Sequence, residues 1–419
     1  MTMRLVDMHY KAQYLLTNAA LVLALTLPAA AELAFEPSAR IQYTSMQLVN
    51  TSVASFERNY EPDTLLDLAW VHEISGEFAM CIRFSPAAFA YLGYWSSIHN
   101  MFVDGRSGGL LGKSGKHYSS GLTEAKAALS FGDGGSRQLV VTAGLFKYAY
   151  NDQARDLGEY LLASGTYPGV VYSGEDSIQL GGIHVQSTHP PNMTHNLFFT
   201  TELQVDPLFD FSAAYIGEIR LSKFFTFGAG VMLDRIIPVN PDNTSPPLHA
   251  IQDSATGRLD TLTFRGVKLM GRFAFDPKAF LDAKLFGPND LILYGEAALL
   301  GARSYPRYYD DITERVPGMV GFNLPAFGLL DVLAVEGEYY GSRHANNPET
   351  QGAPYAKREP GYDDQDDYKW AVTAVRGVGE HVSLRLRAAS DHLREGGHSR
   401  QRTVAPDEWY WSIRLTATF

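Results

Sequence analysis

Hydrophobic and polar residues alternate along much of this chain with a period of two. The last eleven residues place Trp409, Trp411, Ile413, Leu415, Ala417 and Phe419 on one side and Tyr410, Ser412, Arg414, Thr416 and Thr418 on the other. Successive side chains of a β-strand point to opposite faces, so this pattern predicts a strand. Upstream, Val382, Leu384, Leu386 and Ala388 oppose Ser383, Arg385 and Arg387 in the same way. Val267, Leu269, Phe273 and Phe275 oppose Lys268 and Arg272, and Leu291, Leu293, Ala297 and Leu299 oppose Tyr294 and Glu296. The polar face repeatedly carries charge, and that decides which face is inside. A water-soluble sandwich turns its apolar face inward, whereas a barrel in lipid turns it outward. Arg or Lys on a lipid face costs about 2–4 kcal/mol at the bilayer midplane, so the favoured register puts Arg385 and Arg387 together in a lumen.

The expected fold is therefore all-β, a closed antiparallel transmembrane β-barrel. Alternating segments fall near 38–49, 60–72, 78–91, 122–132, 137–149, 176–187, 194–205, 208–219, 223–235, 259–275, 289–303, 316–324, 328–341, 367–376, 381–391 and 407–419. These make about 16 strands. Fourteen is the alternative, because the first two segments are weakly patterned and Gly181-Gly182 interrupts the sixth. An even count returns both ends to one side, and closure leaves no unpaired sheet edge in hydrocarbon. Long connections (104–121, 150–175, 236–258, 304–315, 342–366 and 392–406) alternate with short turns near 132–136, 221–223, 325–328 and 377–380. Long external loops and short periplasmic turns are the outer-membrane arrangement. Asp206-Pro207 is a short exception on the long side, and residues 276–288 are a long exception on the short side.

The final strand, ending on the aromatic residue of its apolar face, resembles the C-terminal strand of Gram-negative outer-membrane β-barrels, and the whole plan is similar to the porin-like family. The resemblance implies that Trp409, Trp411, Leu415 and Phe419 form an assembly signal read by the barrel-assembly machinery. It further implies a home in the cell outer membrane with lipid as partner, passive diffusion of small polar solutes or ions as activity, and a possible homotrimer. A closed barrel with a structural or adhesive surface role through its external loops is the other reading, and a barrel enzyme a third.

The N-terminus adds an address. Arg4 and Lys11 precede the apolar run Leu15–Leu27, and Ala29-Ala30-Ala31 offers a small-residue cleavage pattern. Residues 1–31 are expected to be a cleaved signal peptide, leaving 32–419 as one barrel domain. The apolar run is shorter than the roughly 18 residues that a membrane helix needs. Composition narrows the classes further. Thirty-five Lys plus Arg against 46 Asp plus Glu give a net charge of -11, which excludes a generally basic nucleic-acid binder. The single cysteine, Cys81, excludes an intrachain disulfide framework.

Candidate chemistry then concentrates in the lumen. Parity makes Arg83, Lys268, Arg272, Glu296, Glu336, Glu338, Lys369, Arg385, Arg387 and Arg414 pore-lining candidates, with the basic residues of the last three strands brought near Arg83 by closure. Opposed charge across a narrow aqueous channel orients polar solutes and screens them by charge. Residues 151–172 carry a short helical pattern in which Leu157, Tyr160 and Leu161 share a side, stopped by Gly165 and Pro168. Porins resemble this plan in folding a long early loop inward, and the resemblance makes Asp152, Asp156 and Glu159 constriction-loop candidates facing basic wall residues. A loop lying outside the lumen remains open. Trp370, Trp409, Trp411, Tyr339 and Tyr340 suggest an interfacial aromatic girdle. No catalytic residue, cofactor or metal is expected. Residues 109–114 lack the first glycine of a phosphate-binding loop, neither G-x-S-x-G nor H-E-x-x-H occurs, and His184, His189 and His195 have irregular spacing.

Overall fold

The computed structural model describes residues 33–52, 65–103, 106–107, 118–132, 138–163, 178–189, 192–203, 208–237, 250–252, 257, 259–261, 265–281, 285–302, 312–340, 368–390 and 409–419. The proposed signal peptide, residues 109–114 and most of the long connections lie outside these. Sixteen strands build the wall: β1 (Ala34–Ser52), β2 (Leu65–Ser85), β3 (Ala88–Val103), β4 (Tyr118–Phe131), β5 (Gln138–Tyr148), β6 (Ile178–His189), β7 (Met193–Thr201) and β8 (Phe211–Ser222). They continue as β9 (Phe225–Ile237), β10 (Gly266–Phe275), β11 (Leu293–Leu299), β12 (Gly318–Asn323), β13 (Val332–Tyr339), β14 (Tyr368–Val378), β15 (Val382–Ser390) and β16 (Trp409–Thr418). Each pairs antiparallel with its neighbours in the chain, and β16 returns to β1. A two-residue strand, Arg106–Ser107, pairs antiparallel with the end of β3, and a small hairpin (Ala250–Gln252 with Leu259–Thr261) forms a separate sheet.

The closing pair runs in register from Arg40 opposite Thr418 to Val49 opposite Trp409. Beyond it, the Ala39 N–H donates to the Phe419 carbonyl at 3.0 Å and the Phe419 N–H to the Ala39 carbonyl at 2.8 Å. Both ends of the wall therefore lie at the end of the barrel that carries the short turns. The sheet has no free edge, which is the condition for burying backbone polar groups away from water.

Sixteen strands is the expected number, but the second and third are placed differently. The wall reverses at Pro86-Ala87, not between residues 72 and 78. Proline has no N–H to give to a ladder. The polar stretch around residues 73–77 is not a turn, because Glu73 faces inward and is buried while Ile74 and Phe78 face outward, 54% and 55% exposed.

Inversion of the faces is consistent around the barrel. Ile41, Leu92, Leu122, Ile183, Leu197, Leu269, Val320, Val335, Leu386 and Leu415 are exposed, whereas Lys268, Glu296, Glu336, Glu338, Lys369, Arg387 and Ser412 are buried. Aromatic pairs gather near the long-connection ends of β13, β14 and β16: Tyr339 with Tyr368 (ring centroids 5.0 Å apart) and Trp370 with Trp409 (6.5 Å). Tyr340 is not among them, since it is buried with the inward apolar cluster.

One element differs outright. No helix forms in the described part of the early long connection, where residues 151–163 are turns and bends. Gly158 and Glu159 both take positive φ, 90° and 62°, and consecutive left-handed residues cannot continue a right-handed helix. The apolar period of Leu157, Tyr160 and Leu161 serves packing, because all three are at most 1% exposed.

Candidate functional site

The segment that follows β5 is folded into the lumen and bonded to one wall. Two glutamates, one on β11 and one on β13, hold it. Glu296 accepts the Glu159 and Tyr160 backbone N–H groups, each at 3.0 Å, the Tyr150 hydroxyl at 2.6 Å and the Asn151 amide at 3.2 Å. Glu336 accepts the Arg155, Asp156 and Leu157 N–H groups at 2.6, 2.8 and 3.0 Å, and the Tyr294 hydroxyl at 2.7 Å. Each carboxylate thus takes four donors, which fills its acceptor capacity. The positive φ values at 158 and 159 turn successive amides toward one point, an arrangement that makes an anion-binding concavity. Here the anion is a wall side chain.

Further contacts complete the docking. Asp156 meets Arg387 of β15 at 2.5 Å and accepts the Thr373 hydroxyl of β14 at 2.5 Å, both its side chain and that of Arg387 being at most 1% exposed. Arg387 also donates to the Arg155 carbonyl at 3.2 Å. Lys268 of β10 donates to the Ala163 carbonyl at 2.8 Å, and the Tyr160 hydroxyl donates to Glu338 at 2.7 Å. Glu159 turns back on its own segment and accepts the Tyr150 and Asn151 N–H groups, both at 2.8 Å. Burial, then the Glu296 carboxylate beside it, pushes the Tyr150 phenol well above its ordinary range, so it stays protonated and remains a donor.

Apolar packing fills the space beneath. Leu157, Tyr160, Leu161 and Leu162 join Phe146, Phe198, Ile216, Met232, Met270 and Met319 in one buried cluster. Burying each large side chain stabilises by about 1.5–3 kcal/mol. Gly158 permits the close approach, since a Cβ there would lie 3.2 Å from a Glu296 carboxylate oxygen and 3.3 Å from Met319.

The expected site residues fall into two groups. Lys268, Glu296, Glu336, Glu338, Lys369 and Arg387 are 2–4% exposed, and Arg272, paired with Glu218, is 9% exposed; they lie on the occupied side of the barrel. Glu338 stands directly opposite Lys369 on the next strand, and Glu296 opposite Arg272, so these charges neighbour one another along one wall instead of facing across a channel. Arg385 and Arg414 are direct cross-strand partners on the inward face and are partly exposed. Arg83 is exposed near the short-turn end and pairs with Glu36 at 2.8 Å. Of the loop acids, Asp156 meets a basic wall residue, Glu159 caps its own chain, and Asp152 is exposed.

The opposite side of the lumen is lined differently. Arg40 pairs with Glu77, Lys126 with Glu124 at 2.6 Å, and Lys147 approaches Glu77 at 3.9 Å. Their side chains keep 12–34% exposure. Tyr150, Tyr294 and Thr373 are contacts that sequence reasoning missed, and so are the five loop amides. Backbone N–H groups carry no sequence identity, so no motif marks them.

His184, His189 and His195 do not converge. His184 is inward, stacked on Phe198 at 4.4 Å and bonded to Asn196 at 2.9 Å, while the other two lie on the outward face. Among the described residues, no group of three or more His, Cys, Asp or Glu could hold a metal ion.

No family model matches the chain, and no curated protein matches it. Solved structures with a similar outline include a mutant porin from Rh. blastica, at TM-score 0.44 and 10% identity, covering 92% of this chain and 100% of that one. Another is OmpF from Salmonella typhi in complex with daunomycin, at TM-score 0.46 and 10% identity, covering 92% and 97%. OccK5 (OpdH) from Pseudomonas aeruginosa is similar at TM-score 0.40 and 8% identity, covering 92% and 98%.

Proposed function

We propose that this chain is a porin-like channel of the outer membrane, passing small polar solutes or ions by passive diffusion. One observation carries the reading. In a closed barrel with an apolar exterior, residues 150–163 are fastened to the β10–β15 wall, while ion pairs line the β1–β5 wall. A wall-mounted segment narrows an aqueous lumen without having to move for solute to pass. The activity requires no covalent step and no cofactor.

The proposal extends to topology, export and assembly. The strands span the bilayer, with the long connections on the external side and the short turns in the periplasm. Residues 1–31 direct export and are removed, and the outward face of β16, with Trp409, Trp411, Leu415 and Phe419, is what the assembly machinery engages. Homotrimers are the proposed assembly. Single-channel recording on refolded protein in planar bilayers tests the function: stable conductance steps are expected, and their absence would favour a closed barrel. Topology is tested in a Cys81→Ser background by an impermeant thiol reagent on whole cells, which should label Gln351→Cys but not Gly379→Cys.

A further inference from the structure

Among the connections at the short-turn end, the one that leaves β10 is long, and its described residues are hydrogen-bonded to the neighbouring turns. The Asp276 N–H donates to the Phe224 carbonyl at 2.8 Å, tying it to the β8–β9 turn. Residues Pro277–Phe280 form a short 3-10 helix capped by Asp276, whose side chain accepts the Lys278 N–H at 3.0 Å. Asp290 accepts the Gly287 N–H at 2.9 Å and the Ala326 N–H at 3.3 Å, and the Asn289 amide donates to the Asp331 carbonyl at 3.1 Å. Asp331 in turn accepts the Gly377 N–H at 2.5 Å. The turns after β8, β10 and β12 are thereby knitted into one ledge, which is tied to the end of β14.

This ledge carries exposed large apolar side chains. Phe280 is 64% exposed, Leu281 50%, Leu285 68%, Phe327 62% and Leu329 79%. Phe286 meets Phe327 at 5.9 Å across the two connections, and exposed apolar groups gathered on a hydrogen-bonded scaffold mark a surface that something covers. An aromatic track joins it to the outward wall: Phe273 stacks on Phe225, Phe225 stands opposite Phe275, Phe275 meets Phe224 at 6.2 Å, and Phe224 meets Phe280 at 4.6 Å.

The wall above explains why lipid is the covering. Phe273 and Phe225 share the outward face with Leu269 and Phe227, which are 44% and 43% exposed, so the aromatic track carries the apolar exterior of the β9–β10 wall onto the ledge.

We infer that residues 276–281, 285–291 and 324–331 form a lipid-seated ledge, its apolar tips in the periplasmic-side interface of the bilayer, continuing the apolar exterior of the β9–β10 wall. This rests on the membrane reading above. Nitroxide labels on Phe280→Cys, Leu285→Cys and Leu329→Cys, each in Cys81→Ser and reconstituted in phosphatidylethanolamine/phosphatidylglycerol vesicles, test it by relaxation with oxygen against a water-soluble nickel chelate. Leu269→Cys, outward on β10, is the lipid control, and Gly379→Cys, in an exposed turn, is the water control. Ledge sites grouping with Leu269→Cys support the proposal. Ledge sites grouping with Gly379→Cys, while Leu269→Cys still reports lipid, overturn it and leave the membrane reading intact. Leu269→Cys reporting water removes both. Spin–spin broadening at the ledge that vanishes on dilution with unlabelled protein would show that a second copy covers this surface, and would also overturn the proposal.

Discussion

Two sides of the same lumen solve the problem of buried charge in different ways. On the β10–β15 side the groups are nearly sealed: Glu296 and Glu336 take four donors each, all but the Tyr294 hydroxyl from the docked segment, and Asp156 of that segment meets Arg387. On the β1–β5 side Arg40, Glu77, Glu124, Lys126 and Lys147 pair with one another and stay partly wet. A sealed charge must be matched completely, because losing one partner strands the other, whereas a hydrated pair contributes about 0–1 kcal/mol. The first side holds a shape, and the second stays open to water. A similar set of residue types serves both, and the docked segment makes the difference.

The sharpest way to break this contrast is to unfasten the segment. Glu296→Ala with Glu336→Ala would leave five backbone N–H groups unpaired, each worth about 1–3 kcal/mol when buried. The segment should leave the wall, so single-channel current should become larger and noisier while the heat-resistant band in SDS gels survives. A current trace unchanged from the parent would show that the segment does not narrow the conduction path.

Arg387→Ala strands the Asp156 carboxylate and is expected to cost about 3–5 kcal/mol, read as a lower denaturant midpoint in micelles. Arg387→Met with Asp156→Leu should recover most of it, since an apolar replacement leaves no charge behind. An outward control, Leu269→Arg, should impair insertion by about 2–4 kcal/mol if it lies near the midplane, measured as folded yield into vesicles.

The mildest change to folding should carry the clearest change in selectivity. Arg385→Glu with Arg414→Glu alters partly exposed groups, so stability should move by no more than about 1 kcal/mol. Reversal potentials in a salt gradient should nonetheless shift toward cations. Adding Arg387→Glu would confuse the result, because that residue holds Asp156. Deleting Phe419 removes the two backbone bonds to Ala39, worth roughly 0.5–1.5 kcal/mol each, and should reduce folded yield more than Phe419→Tyr does.

Much of the wall was legible along the chain. Parity alone separates Leu384, Leu386 and Leu415 from Arg385, Arg387 and Arg414, because a strand's period is two and a one-residue slip would send every arginine into lipid. The strand count, the closing role of β16 and the inward sense of Lys268, Glu296 and Glu336 follow from that periodicity. The reversal at Pro86 was misread because inward polar residues at 73, 75 and 77 resemble a turn when the partner strand is unknown.

Only the tertiary structure decided what the inward residues face. Glu336 and Arg414 look alike in the pattern, yet one is 2% exposed beneath the docked segment and the other remains partly open. The apolar period of Leu157, Tyr160 and Leu161 predicted a helix and instead packs the segment against the wall, with left-handed residues at 158 and 159 aiming amides at Glu296. Periodicity records which side of a strand a residue takes, since that is set locally by the pleat. Whether water, another side chain or a backbone amide meets it there depends on segments more than a hundred residues away, brought together by closure of the barrel.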